Sequence, residues 1–152
     1  MELLIAHLIN LTLISIFVGV EFAIGFLIHP VLSRLPQSVH IASVQVIGKI
    51  VGKIMPIWIP LILFSAVPVL YFISDTQALA FWFIIIGIVC IVLMLIISLT
   101  VNVAINKQII SWNSQSPPNN WLNLRKRWDT FHKVRIFLDI VALIAFLLAA
   151  LI

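Results

Sequence analysis

The sequence predicts an all-α protein, a four-helix transmembrane bundle, on three observations. First, 63% of the 152 residues are hydrophobic and 9% are charged, against about 25% charged in soluble domains. Second, four apolar runs stand out, Leu3 to Ile28, Ile54 to Ile73, Ala78 to Leu99 and Ile136 to Ile152. Each is close to the roughly 20 residues a helix needs to cross the hydrocarbon core. Third, all nine Lys and Arg residues lie between runs 1 and 2 or between runs 3 and 4. By the positive-inside rule those two connections face the cytoplasm, and both termini and the short turn near Asp75 face outward.

The expectation is therefore one integral membrane domain over residues 1–152, with helices reaching into the cytoplasmic side at 38–53 and 120–135. Its expected address is a bacterial cytoplasmic (inner) membrane, crossed several times. The net charge of +4 is accounted for by anionic headgroups, so no nucleic-acid partner is called for. The N-terminal stretch MELLIAHL has no basic n-region, and the apolar run behind it is too long for a signal peptide, so it is expected to stay as span 1. The single cysteine, Cys90, sits among Ile and Val as a packing residue.

Span 1 carries His7, Asn10, Ile14, Phe17, Glu21 and Gly25 on one helical face and is expected to end at His29-Pro30. Glu21 would lie about 10 Å deep, at about 1.5 Å per residue, and there a carboxylate must be protonated or paired. His29 is a ligand, a base or an interfacial residue. A connector to Gln37 follows, with Ser38 as the expected cap of the next helix. Gly48 and Gly52 form a GxxxG pair that would let another helix, or a second copy in a homo-oligomer, approach closely. Pro56, Pro60 and Pro68 punctuate span 2, either opening a pocket or fitting neighbours. Ser74 to Gln77 reads as a tight turn. Span 3 is apolar until Asn102 and Asn106, neighbours at i, i+4 that either orient a polar substrate or bridge helices. The loop from Ile109 to Asn120 ends in two Asn residues expected to cap the last helix.

That last helix holds the most informative stripe. Trp121, Arg125, Trp128, His132, Arg135 and Asp139 recur every three or four residues and carry base, cation and acid into lipid, where ionisable groups mark function. Glu21, His29, His40, Gln45, Asn102, Asn106, His132, Arg135 and Asp139 all fall toward one leaflet from four helices, which predicts one polar pocket in the cytoplasmic half of the bundle. Arg135 with Glu21, or Arg135 with Asp139, are the natural ion pairs. Trp112, Trp121 and Trp128 fit an interfacial belt. No P-loop, CxxC, HExxH or internal repeat occurs.

The run Thr100, Asn102, Asn106-Lys107, Trp112, Trp121, Arg125, Arg127-Trp128, Phe131-His132 and Arg135, with Gly19 through Pro30 and Gln45 upstream, resembles the signature of the anthrone oxygenase-like family of small four-helix membrane proteins. The resemblance implies an oxygenase or oxidoreductase that uses O2 on an apolar anthrone-, phenol- or quinone-like aromatic entering from the lipid. His132, Arg135, Asn102 and Asn106 are the expected catalytic residues. Glu21, Gln45, Trp128 and Asp139 are expected to bind substrate. The cofactor is left open between none, haem, and iron or copper. In a haem or metal protein, the ligands offered are His29, His132 and Glu21, with His40 in reserve. A non-catalytic lipid or quinone binder, or a structural subunit, is the third reading.

Overall fold

A computed structural model describes residues 1–73 and 75–152, all helix and connections, with no strand among the described residues. Four helices are long and apolar enough to cross a membrane: α1 (Glu2–Leu32), α2 (Gln37–Ile73), α3 (Leu79–Ser111) and α4 (Trp121–Leu151). The chain is an integral membrane protein. Each helix packs against its sequence neighbours, and α4 closes the ring on α1.

Apolar side chains fill both ends of the interior. Ile14, Phe17, Ile62, Ile84, Met94 and Phe146 belong to the larger cluster. Ile24, Val44, Ile105, Ile109 and Trp128 form the smaller one. The ionisable residues Glu21, His132 and Arg135 fall between the two clusters along α1 and α4, and Ser98 and Asn102 do so along α3. The whole polar stripe of α4 from Arg125 to Asp139 is buried, as is the α1 face running from His7 through Glu21.

Three helix boundaries differ from the sequence expectation, and at a fourth the position is as expected but the bonding is not. Helix α1 does not end at His29-Pro30. Residues Ala23–Ile28 widen into a π turn, in which His29 N–H donates to Ile24 O, and the chain resumes α-helix to Leu32. Pro30 thus sits directly after the π turn, the wider turn where the helix ladder accommodates its missing N–H. Ser38 is not the cap of α2. The helix starts at Gln37 and the carbonyl of Pro36 accepts His40 N–H at 2.9 Å. Helix α3 runs through a second π turn, Ser98–Asn102, to Ser111, past the loop start expected at Ile109. Asn120 precedes α4, yet it is its carbonyl, not its side chain, that is bonded, by Asn123 N–H at 3.0 Å. In the turn after α2, Ser74 lies outside the described residues, while Asp75 Oδ1 accepts Gln77 N–H at 2.9 Å.

The glycines show where helices need closeness and where they leave room. A Cβ on Gly87 of α3 would run into the Phe146 ring of α4. At Gly52 of α2 it would meet nothing within 4 Å. Gly87→Val is therefore expected to force α3 from α4 at a cost of about 1–3 kcal/mol, read as a lower midpoint of thermal unfolding in mild detergent. Gly52→Ala should leave that midpoint unchanged or raise it, since Ala is the better helix former.

Candidate functional site

The site is built around two buried groups that lipid cannot hold singly. Glu21 on α1 is 1% exposed, and Arg135 on α4 donates from Nη2 to its Oε2 at 2.8 Å. This is one of the two ion pairs the sequence offered. The other is not made: Asp139, one turn along α4 and fully buried, has no hydrogen-bond partner on either oxygen.

His132 binds the same residue by a different atom. Its Nε2 lies 3.2 Å from the backbone carbonyl of Glu21. A carbonyl only accepts, so Nε2 carries hydrogen and Nδ1 is the basic nitrogen. Nδ1 stands 3.4 Å from Glu21 Oε2 and has no hydrogen-bond partner. The approach needs Gly25, where an added Cβ would fall 3.0 Å from His132 Cδ2. The π turn of α1 lies beside this contact, as π turns commonly do at functional sites.

Trp128 is one turn back toward the loop. Its ring stacks on His29 at 4.7 Å and on His132 at 4.4 Å, and the Arg125 guanidinium lies 4.2 Å from its centroid. Trp128 is 6% exposed, so it belongs to the interior rather than to the interfacial belt. Arg125 Nη2 donates to Asp129 Oδ1 at 2.6 Å and faces His29 Nε2 at 3.5 Å, while His29 Nδ1 lies 3.5 Å from the same carboxylate. Arg125, His29 and Asp129 thus form a second ionic unit beside the first. Trp121 meets His40 edge-on at 5.6 Å.

Six of these residues line a cavity of about 550 Å³, within the range of roughly 300–1,000 Å³ usual for small-molecule sites. Glu21, His29, Arg125, Trp128, His132 and Arg135 make one wall. The opposite wall is the sparse face of α2, including Gly48, Gly52, Pro56 and Pro60. The glycine pair read from the sequence as a helix-contact face here leaves room for the cavity. The prolines serve it as well, since Pro56 and Pro60 have no N–H and cannot close the helix bonds behind them. The mouth lies between α2 and α3, where Lys49, Lys53, Pro56, Leu99 and Lys107 are all exposed.

Of the eight expected site residues, Glu21, Asn106, Trp128, His132 and Arg135 line this cavity, and Gln45, Asn102 and Asp139 are not among its lining residues. Gln45 Nε2 donates to Ile109 O and Trp112 O, both at 2.9 Å, and ties α2 to the end of α3. Asn102 Nδ2 donates to Trp128 O at 3.2 Å and ties α3 to α4. Asn106 lies one α-helical turn, about 6 Å, farther along α3 than Asn102, and the two therefore have different neighbours. His29, Glu21 and His132 do not converge as a metal shell, and no group of three His, Cys, Asp or Glu does so among the described residues. The physical reason is that Glu21 is already taken by Arg135 and His132 Nε2 by a carbonyl. Sequence reasoning left out Arg125 and Asp129 as site residues. Their i, i+4 spacing was the available signal.

Arg135→Met should leave the Glu21 carboxylate without its cation and cost about 3–5 kcal/mol. Adding Glu21→Gln to it should recover most of that loss, with both variants followed by thermal unfolding in the same detergent.

The family model described as anthrone oxygenase matches residues 49–145, from the middle of α2 into the last turns of α4. The match includes Asn102, Asn106, Trp128, His132 and Arg135 and leaves Glu21, His29 and Gln45 upstream of it. No curated protein and no solved structure matches the chain. With well over half of its length matched, His132 and Arg135 included, the chain belongs to the anthrone oxygenase family.

Proposed function

We propose that the protein is a membrane-embedded oxygenase that takes a planar, apolar aromatic of the anthrone, phenol or quinone class from the lipid and oxidises it with O2. The membrane in this reading is a bacterial cytoplasmic membrane, with the basic ends of the helices and the cavity on its cytoplasmic side. One observation carries the proposal. The cavity is walled largely by apolar side chains, and the buried unpartnered polar atoms on its lining residues are all nitrogens: His29 Nδ1, Arg125 Nη1, Trp128 Nε1, His132 Nδ1 and Arg135 Nε. Arg125 Nη1, Trp128 Nε1 and Arg135 Nε are N–H donors and His132 Nδ1 is a base, which suits a ligand that is apolar over most of its area and carries an oxygen acceptor and an acidic hydrogen.

The chemistry follows from that edge. Anthrones have an acidic methylene para to a carbonyl across the central ring. His132 Nδ1 accepts a methylene proton, and the negative charge moves to the carbonyl oxygen, where Arg135, Asn106 and the Trp128 N–H stabilise it. Glu21 stabilises the imidazolium. The electron-rich anion transfers one electron to O2, and the radical pair couples to a carbon-bound peroxide that takes a proton from His132. Loss of the second methylene proton breaks the O–O bond, releases one water and leaves a quinone. The balance is one anthrone and one O2 to one anthraquinone and one water. Asn102 acts through its bond to the Trp128 carbonyl as a positioning residue.

His132→Ala should lower turnover by about 10²–10⁴-fold while the helical circular-dichroism signal and the unfolding midpoint stay close to wild type. The check is oxygen uptake with an anthrone, corrected for its spontaneous oxidation. Unchanged uptake in His132→Ala would remove this residue as the base.

A further inference from the structure

The cavity has a charge imbalance that the oxidation does not use. Five cationic side chains, Lys49, Lys53, Lys107, Arg125 and Arg135, line it together with a single carboxylate, Glu21. Inside, the charges are answered: Arg135 by Glu21 at 2.8 Å and Arg125 by Asp129 at 2.6 Å. At the mouth they are not. Lys49, Lys53 and Lys107 are exposed and have no ion-pair partner among the described residues. Lys49 and Lys53 are i, i+4 neighbours on α2, and Lys107 faces them from α3.

Lysines at a membrane surface commonly snorkel to headgroups wherever they sit on the bundle. Arg34, Lys126, Arg127 and Lys133 fit that use, being outside the cavity lining. The other three differ in place. They converge from two helices on one opening whose interior is mainly apolar. A charge cluster at the mouth of an apolar cavity favours a ligand with both characters, and it raises the local concentration of anions at that opening.

We infer that the cavity takes an amphipathic anion, with its apolar ring system or chain inside and a carboxylate or phosphate held at the mouth by Lys49, Lys53 and Lys107. This rests on the cavity being the substrate site and narrows its substrate class from neutral aromatics to those bearing an acid group. The oxygen that reacts lies at the buried nitrogens, and the acid group lies at the other end, where the free cations are.

The test uses the full chain in nanodiscs of neutral phosphatidylcholine and two probes of matched shape, anthracene and anthracene-9-carboxylate. Binding is read as energy transfer from tryptophan, with empty nanodiscs as the blank. Wild type should bind the carboxylate about tenfold more tightly than anthracene, as three exposed charge contacts permit. The Lys49→Gln/Lys53→Gln/Lys107→Gln variant should lose that advantage and keep its affinity for anthracene, and added salt should weaken the carboxylate alone. Equal binding of both probes by wild type, or equal loss of both in the variant, overturns the inference while leaving the cavity a binding site. Binding of neither probe by wild type overturns the cavity reading as well. Replacing part of the lipid by phosphatidylglycerol separates the sources. Competition in wild type and not in the variant assigns the mouth to an anionic lipid head, and its absence assigns it to a soluble acid; either supports the anionic site.

Discussion

Two opposite charges in one hydrocarbon layer set the terms for the rest of this bundle. Glu21 cannot stay ionised in lipid without a cation in hydrogen-bond range, and Arg135 is the cation that reaches it. Because these residues come from the first and last helices, their contact fixes how deep α1 and α4 sit relative to each other. It also brings the backbone of α1 within reach of His132. Gly25 and the π turn beside it are the local adjustments that let two thick helices approach there. A residue with a Cβ at position 25 would push first on Ile136 Cδ1 and then on the His132 ring.

Such a polar layer is costly, and the fold offsets it by sandwiching it between apolar clusters. Helices α3 and α4 lock together where Gly87 receives Phe146. At the other end Trp128, Ile105 and Ile109 close a smaller core. Between them α2 contributes glycine and proline in place of bulk, so packing is given up on one wall to make volume. The bundle is tight where Gly87 meets Phe146 and open beside Trp128, His132 and Arg135.

Much of this was legible in the sequence, for definite reasons. Hydrophobic run length gave the four helices, and a three-to-four residue spacing gave the buried stripes of α1 and α4, because lipid allows charged groups few other positions. What periodicity cannot report is the partner. Arg135 faced two acids equally well on paper, and Gln45 and Asn102 read as pocket amides although their side chains bond backbone carbonyls. The π turns were invisible because each inserts its extra residue without changing composition. Pro30 looked like a helix end because proline usually interrupts the helix ladder, and the wider turn before it is what lets the helix go on. Asp129 was read past because an acid amid lysines and arginines resembles ordinary surface charge, whereas here it joins Arg125 and His29. The family resemblance supplied the chemistry, which no spacing in these residues states alone.

The mouth between α2 and α3 has a consequence for how the protein meets its ligand. In the proposed reading, in which the ligand enters sideways through the bilayer, the site samples molecules per lipid, not per litre, so diffusion in two dimensions and partitioning govern its supply. Its apparent affinity then contains the transfer of the ligand from water into the membrane, which can exceed the contribution of any contact inside. At a fixed amount of ligand, added inert lipid dilutes the reactants and slows encounter, although the aqueous concentration hardly changes.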